Sequence, residues 1–309
     1  MMWNRTFLHT LCLAAALLGG GVSARAELIY ALTGGPGTLV SFDSATPSVV
    51  NTIGDVSGAT TGQFFYDISF RPSNGLLYGL AVNSFTGASN LYIINPLTAA
   101  ASLVGGSPFT LSLSIGGRVS MAFDPVADSL RVISRNGSNY RVDPGSGMLT
   151  AQDSILRYTG GVPSQTPDAT AIAYSNNFSG ATSTTLYAYT FNFDEFVRVG
   201  SLGGNPISPN SGESFVVGGS GQFPLSSNVG FVVSPNGMAY MTANIGASTL
   251  FTVNLATGRA TPVGAIAGNL PIIGIAVAPV PVPEPGTSAL LLGAGGVLGW
   301  WRWRWRRGG

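Results

Sequence analysis

Between residues 27 and 281 the apolar positions fall in short β-rich runs divided by turn-forming residues, and no stretch of useful length keeps the apolar period of an amphipathic helix. One run recurs five times: Asp67-Ile68-Ser69-Phe70-Arg71-Pro72, Ser120-Met121-Ala122-Phe123-Asp124-Pro125, Ala171-Ile172-Ala173-Tyr174, Gly230-Phe231-Val232-Val233-Ser234-Pro235 and Gly274-Ile275-Ala276-Val277-Ala278-Pro279. A second run follows most copies after a short turn, as Leu76-Leu77-Tyr78, Ser129-Leu130-Arg131, Thr185-Leu186-Tyr187 and Met238-Ala239-Tyr240, with Leu28-Ile29-Tyr30 as its fifth copy. A third ends on an acceptor side chain at Phe42-Asp43, Ile94-Asn95, Val142-Asp143 and Val253-Asn254. A short side-chain oxygen there bonds backbone N–H groups two or three residues on, so turn chemistry accounts for these residues without calcium.

Tyr30, Tyr78, Arg131, Tyr187 and Tyr240 stand 48, 53, 56 and 53 residues apart, close to the ~50-residue period of a propeller blade. The expected fold is all-β, a five-bladed β-propeller. The chain begins on the second strand of a blade and ends on a first strand, so the C-terminal strand is expected to pair into the N-terminal blade and close the ring. First strands line a narrow channel, and the aligned positions Asp67, Ser120, Ala171, Gly230 and Gly274 are accordingly small, with Asp67 the one charge among them.

The ends follow different rules. Arg5, an apolar stretch from Phe7 to Leu18, three glycines and Ala24-Arg25-Ala26 form a secretory signal over 1–26, a short helix handed to the Sec machinery, with cleavage after Ala26 and a mature chain starting at Glu27. The secreted domain is expected to span 27–281. At 282–309, Val282-Pro283-Glu284-Pro285 precedes an apolar segment at about 286–301 and then Arg302, Arg304, Arg306 and Arg307 interleaved with Trp303 and Trp305. Prolines stop the preceding strand, the apolar segment forms a transmembrane helix, and the arginines stay cytoplasmic. Sixteen helical residues reach roughly 24 Å against a ~30 Å core, which suits a temporary stop in the inner membrane.

This triplet, short apolar helix and Arg cluster resemble the PEP-CTERM sorting signal over 282–307, although Trp alternates with Arg where a plainer Arg run is usual. The resemblance implies recognition by an exosortase, removal of the tail, and release or transfer to the outer surface or extracellular matrix of a bacterium that makes exopolysaccharide. Leu28 to Pro279 also resembles an uncharacterised family of bacterial secreted domains with propeller-like repeats, most clearly in Phe123-Asp124-Pro125-Val126-Ala127-Asp128-Ser129-Leu130-Arg131-Val132-Ile133-Ser134, Asn139-Tyr140-Arg141-Val142-Asp143 and Ala171-Ile172-Ala173-Tyr174-Ser175-Asn176-Asn177. That family implies fold and export, with no established activity.

Composition narrows the chemistry. The secreted part holds eight arginines against nine aspartates and three glutamates, a net charge of −4, which excludes a nucleic-acid binder. The chain has no Lys, and its single His and Cys, His9 and Cys12, lie inside the signal. Ser-His-Asp and Cys-His nucleophile pairs, Schiff-base lysines, histidine or thiolate metal sites and disulfides are therefore excluded from the secreted domain. No cofactor, no metal and no catalytic residue are expected.

Four candidate readings remain. A glycosidase needs two carboxyls facing each other about 5–10 Å apart, and the channel register offers Asp67 alone, with Asp168 three residues before its aligned position, Arg118 two before, and Glu195 and Glu213 away from the axis. Asp67, Arg118 and Asp168 form either a structural ion-paired group or a polar-ligand site at the channel mouth. Arg131, Arg135 and Arg141 suggest an anion clamp, yet a two-residue turn at Asn136-Gly137 would oppose Arg141 to Val132 and send Arg131 and Arg141 to opposite faces. Phe64, Phe65 and Phe193 are aromatics able to stack on sugars or pack between blades. The function expected is binding or structural association, with exopolysaccharide or a surface protein as partner, and a carbohydrate-active hydrolase using Asp and Glu is the alternative.

Overall fold

The computed structural model describes residues 26–35, 37–112, 117–160, 165–222, 228–245 and 247–279. Ala24, the signal helix, Pro283, Glu284, Pro285, the apolar segment at 286–301, and Arg302, Arg304, Arg306 and Arg307 lie outside the described residues, while Ala26 is exposed at their start. Among the described residues no helix is long and apolar enough to cross a membrane.

Five antiparallel sheets radiate from an axis as the blades of a propeller. Blade one runs outward as Ile272–Val277, Leu28–Thr33, Thr38–Asp43 and Thr46–Asp55. Blade two is Phe64–Phe70, Leu77–Val82, Ala88–Ile94 and Ala101–Leu103, with the short strand Phe109–Thr110 also pairing to Ala88–Ile94. Blade three is Val119–Asp124, Ser129–Ser134, Asn139–Val142 and Leu149–Asp153. Blade four is Ala169–Tyr174, Leu186–Thr190, Glu195–Val199 and Glu213–Gly219, and it takes a parallel fifth strand, Arg157–Tyr158, along its outer edge, where blade two has the single parallel bridge Ser57–Ala100. Blade five is Val229–Val233, Ala239–Ile245, Ala247–Val253 and Ala260–Ala265.

The recurrent runs occupy equivalent places. Tyr30, Tyr78, Arg131, Tyr187 and Tyr240 sit on second strands opposite Ala276, Ser69, Ala122, Ala173 and Val232, each two residues beyond its small axial position. Ile272–Val277 pairs antiparallel with Leu28–Thr33 and also packs against the inner strands of blades two and five. Inner strands have neighbours on both faces, which is why they read as near-continuous apolar runs rather than alternating ones.

Apolar burial is divided among the blade interfaces. Leu32, Phe65 and Tyr92 pack between blades one and two, Tyr78, Met121 and Phe123 between two and three, and Ile133, Ile172 and Val197 between three and four. Phe196, Phe231 and Phe251 fill the next interface, and Ile29, Leu250 and Ile275 the one between blades five and one. The Asx turns are formed as the sequence predicts: Asp43 Oδ1 accepts from Ala45 N at 2.7 Å, Asn95 Oδ1 from Leu97 N at 2.8 Å, Asp143 Oδ1 from Gly145 N at 3.1 Å, and Asn254 Oδ1 from Ala256 N at 2.9 Å.

One hairpin departs from its expected register. Blade three's second and third strands are joined through residues 135–137, with Ser134 N bonded to Ser138 O and Gly137 at φ 82°, a longer loop than the two-residue turn. A loop with glycine in the left-handed region adds one residue, and a shift of one residue reverses every facing. Arg131 therefore stands directly opposite Arg141 on one face, and both bond Asp153. This is no open anion clamp: both arginines are bonded to the one Asp153 carboxylate, and the remaining donors of Arg131 are spent on neighbouring side chains. Buried Arg131 also donates to Tyr174 Oη at 2.7 Å and Asn210 Oδ1 at 2.6 Å, both on blade four or its loops.

Breaking a buried charge network by removing one partner costs about 3–5 kcal/mol. Arg131→Met should lower stability by about 3 kcal/mol, whereas Arg141→Ala, at the solvent edge of the same network, should cost less than half of that. Urea unfolding of the two variants checks the order, and equal losses would mean that burial of Arg131 contributes nothing.

Candidate functional site

The three residues grouped at the channel separate into two sets. Asp67, buried on blade two, accepts from Ser120 Oγ at 2.6 Å and Met121 N at 2.9 Å through Oδ2, and from Ile68 N at 2.9 Å through Oδ1. Ser120 Oγ in turn accepts from Ile172 N at 3.0 Å, so one hydrogen-bonded chain ties blades two, three and four. Blade one closes over the same carboxylate: a Cβ on Gly274 would lie 2.4 Å from Asp67 Oδ1, so only glycine fits.

Arg118 enters from blade three and donates through Nη2 to Ile273 O of blade one, bridging the mouth of the channel. Asp168 turns instead to Arg135, which grips it with two bonds at 2.6 and 2.9 Å. No ion pair joins Asp67, Arg118 and Asp168 to one another among the described residues. Burial pushes Asp67 up to about 6, against the lowering effect of its three donors and of Arg118. Burial likewise lowers Arg118, opposed by the charges of Asp67 and Tyr66. Among the described residues no group of three or more His, Cys, Asp or Glu could hold a metal ion.

A different place offers room. The parallel strand Arg157–Tyr158 stands against Glu213–Gly219 and carries Tyr158 over the third strand of blade four, where its hydroxyl donates to Glu195 Oε1 at 2.8 Å. Tyr158 and Phe193 meet edge to face, with centroids 6.0 Å apart and planes at 83°. With Gln165 and Phe215 they line an open cleft of about 470 Å³, within the roughly 300–1,000 Å³ of small-molecule pockets. Burial raises Glu195, and the Tyr158 hydroxyl partly offsets this. Arg198 stacks on Phe215 with its guanidinium 4.9 Å from the ring centroid and donates Nε to Gly200 O at 2.8 Å.

The sequence placed Glu195 and Glu213 away from the axis, as found, but gave no sign of this cleft. Arg157 and Tyr158 fall outside the runs read as repeats, and their parallel pairing joins segments 56 residues apart. Of the three aromatics singled out, Phe193 is half exposed in the cleft, Phe64 is exposed elsewhere, and Phe65 is core, packed edge-on against Tyr92.

Fold and tail together define an exported, all-β five-bladed propeller. The chain belongs to the family described as a domain of unknown function, DUF4394, matched over residues 38–276. Residues 281–307 match the PEP-CTERM protein-sorting motif, which implies an exported, membrane-transiting protein processed by exosortase. No curated protein matches the chain. Similar solved structures include the major allergen Mala s 1 of Malassezia sympodialis, 16% identical, TM-score 0.44, covering 79% of this chain and 77% of that one. Myxococcus xanthus glutaminyl cyclase is 15% identical, TM-score 0.41, with coverages of 69% and 80%. A putative 6-phosphogluconolactonase from Bacteroides uniformis is 11% identical, TM-score 0.41, with coverages of 79% and 83%.

Because the folded Asp67 takes up a proton at about pH 6, above its ordinary 3.8, its contribution to stability is fully present below the ordinary value and is lost as pH rises through about 6. The loss amounts to roughly 3 kcal/mol at 1.36 kcal/mol per unit. Subtracting the stability-versus-pH curve of Asp67→Asn from that of the wild type should isolate this fall between pH 4 and 6. A rising difference would show that the three donors outweigh desolvation, and a flat one that they cancel it.

Proposed function

We propose that this protein acts at the cell surface or in the exopolysaccharide matrix by binding rather than by catalysis, after its signal is cleaved at Ala26 and its tail is removed by exosortase from a transient inner-membrane helix. The observation that carries this reading is the state of Asp67: both of its oxygens are committed to Ser120, Met121 and Ile68. Asp168 is spent on Arg135 in the same way. A carboxylate acid–base pair needs groups free to give and take protons with substrate, and these two serve the architecture. Hydrogen bonds between Ile272–Val277 and Leu28–Thr33 favour a ring closed between its two ends, a frame rigid enough to present a fixed surface. A partner in the envelope, a polysaccharide or a surface protein, fits the sorting motif.

Protein purified from cells expressing the full chain should be retained on the producer's own exopolysaccharide without releasing products. Release of sugars that Asp67→Asn abolishes would overturn the reading in favour of a hydrolase. Neither retention nor release would remove polysaccharide as the partner and leave a surface protein.

A further inference from the structure

We propose that the blade-four cleft is a saccharide subsite that takes an uncharged, hydroxyl-rich six-membered ring, its apolar face on Phe193 and its hydroxyls on Glu195 and Gln165. This rests on the binding reading above and supplies the ligand class and the place. The charge balance selects against anions. Of the cations beside the residues that line the cleft, Arg157 is paired with Glu213 at 3.0 Å, and Arg198 lies on Phe215 and bonds Gly200 O. Glu195 is left as the unneutralised charge of the cleft lining, with Oε1 fixed by Tyr158 and its second oxygen without a hydrogen bond among the described residues.

That carboxylate offers strong acceptor capacity to ligand hydroxyls, and Gln165 adds a donor and an acceptor. The two aromatic rings at 83° make a platform and a wall, a corner that fits the flat C–H face of a sugar ring. A quaternary ammonium would instead call for rings enclosing it on several sides. Phe193 is 50% exposed, so the protein leaves a large aromatic in water at the point where a ligand would cover it. A neighbouring depression of about 510 Å³ along Tyr187, Leu202 and Leu255 lacks this combination, since its aromatic is the buried Tyr187 and its charged side chain is the already engaged Arg198.

The test is calorimetric titration of the purified processed protein with neutral oligosaccharides of glucose, galactose and N-acetylglucosamine, with an acidic oligosaccharide and choline as further ligands. At least one neutral oligosaccharide should bind, and the acidic one should bind more weakly. Phe193→Ala should weaken the neutral ligand about tenfold, the scale of one aromatic contact. Glu195→Gln, which still accepts from Tyr158, should weaken it several-fold. Phe64→Ala, an equally exposed aromatic on another blade, should change nothing, and unaltered unfolding midpoints show that the variants remain folded. Binding of choline alone would overturn the ligand class. Undiminished binding by Phe193→Ala and Glu195→Gln would overturn the location while leaving the binding role intact. Absence of binding to every oligosaccharide overturns the subsite, whereas retention on the whole exopolysaccharide by both variants keeps the broader role.

Discussion

Everything in this fold answers to crowding at the axis. Five inner strands converge there, and the space left between their backbones admits hydrogen, methyl or hydroxymethyl groups and one carboxylate. Asp67 occupies that space because Gly274 has no Cβ and because Ser120 and Met121 point donors at it. A buried carboxylate is costly unless it is hydrogen-bonded, and here the satisfaction of one group fixes the relative height of blades two and three. Through Ser120 and Ile172 the same height is passed to blade four.

Away from the axis the blades are joined by apolar layers and by bonds that cross them. Arg71 grips Asp128 between blades two and three, Arg131 reaches Tyr174 between three and four, Asn177 bonds Val233 O between four and five, and Asn236 bonds Glu27 between five and one. Arginine is the cation in each ionic case. Its planar fork makes paired bonds with a carboxylate at little further loss of freedom, which suits a chain without lysine or disulfides that must hold several sheets in register.

Repetition made the blades legible. Each inner strand carries a small residue and each second strand an aromatic or Arg131 opposite the residue two steps on, so the spacing of these runs marked the blade number. The Asx turns were legible because their bonds are local. Arg131 facing Arg141 was not, since it hangs on one extra loop residue at Arg135, and Asn136-Gly137 suits a shorter turn equally well. Asp168 was placed at the mouth by register, yet its partner Arg135 comes from that same longer loop. Tyr158 lay in an interblade connection outside the repeated runs, and its parallel pairing, matched in blade two only by the single bridge Ser57–Ala100, joins segments far apart in the chain.

The same crowding argues for where a ligand would go. Arg118 crosses the mouth to Ile273 O, and at the level of Met121 and Ile172 the central space amounts to about 10 Å³, room for a single water. At that level a sugar has no room unless the inner strands part, and parting them would break the Asp67 bonds that set the register. The outer edge of blade four carries no such constraint. Its added strand is held by short parallel pairing and the Arg157–Glu213 contact, and it widens the blade just where Tyr158, Phe193 and Glu195 meet. The axis is thus the crowded part of this propeller, and the widened edge of blade four is the part with open space beside it.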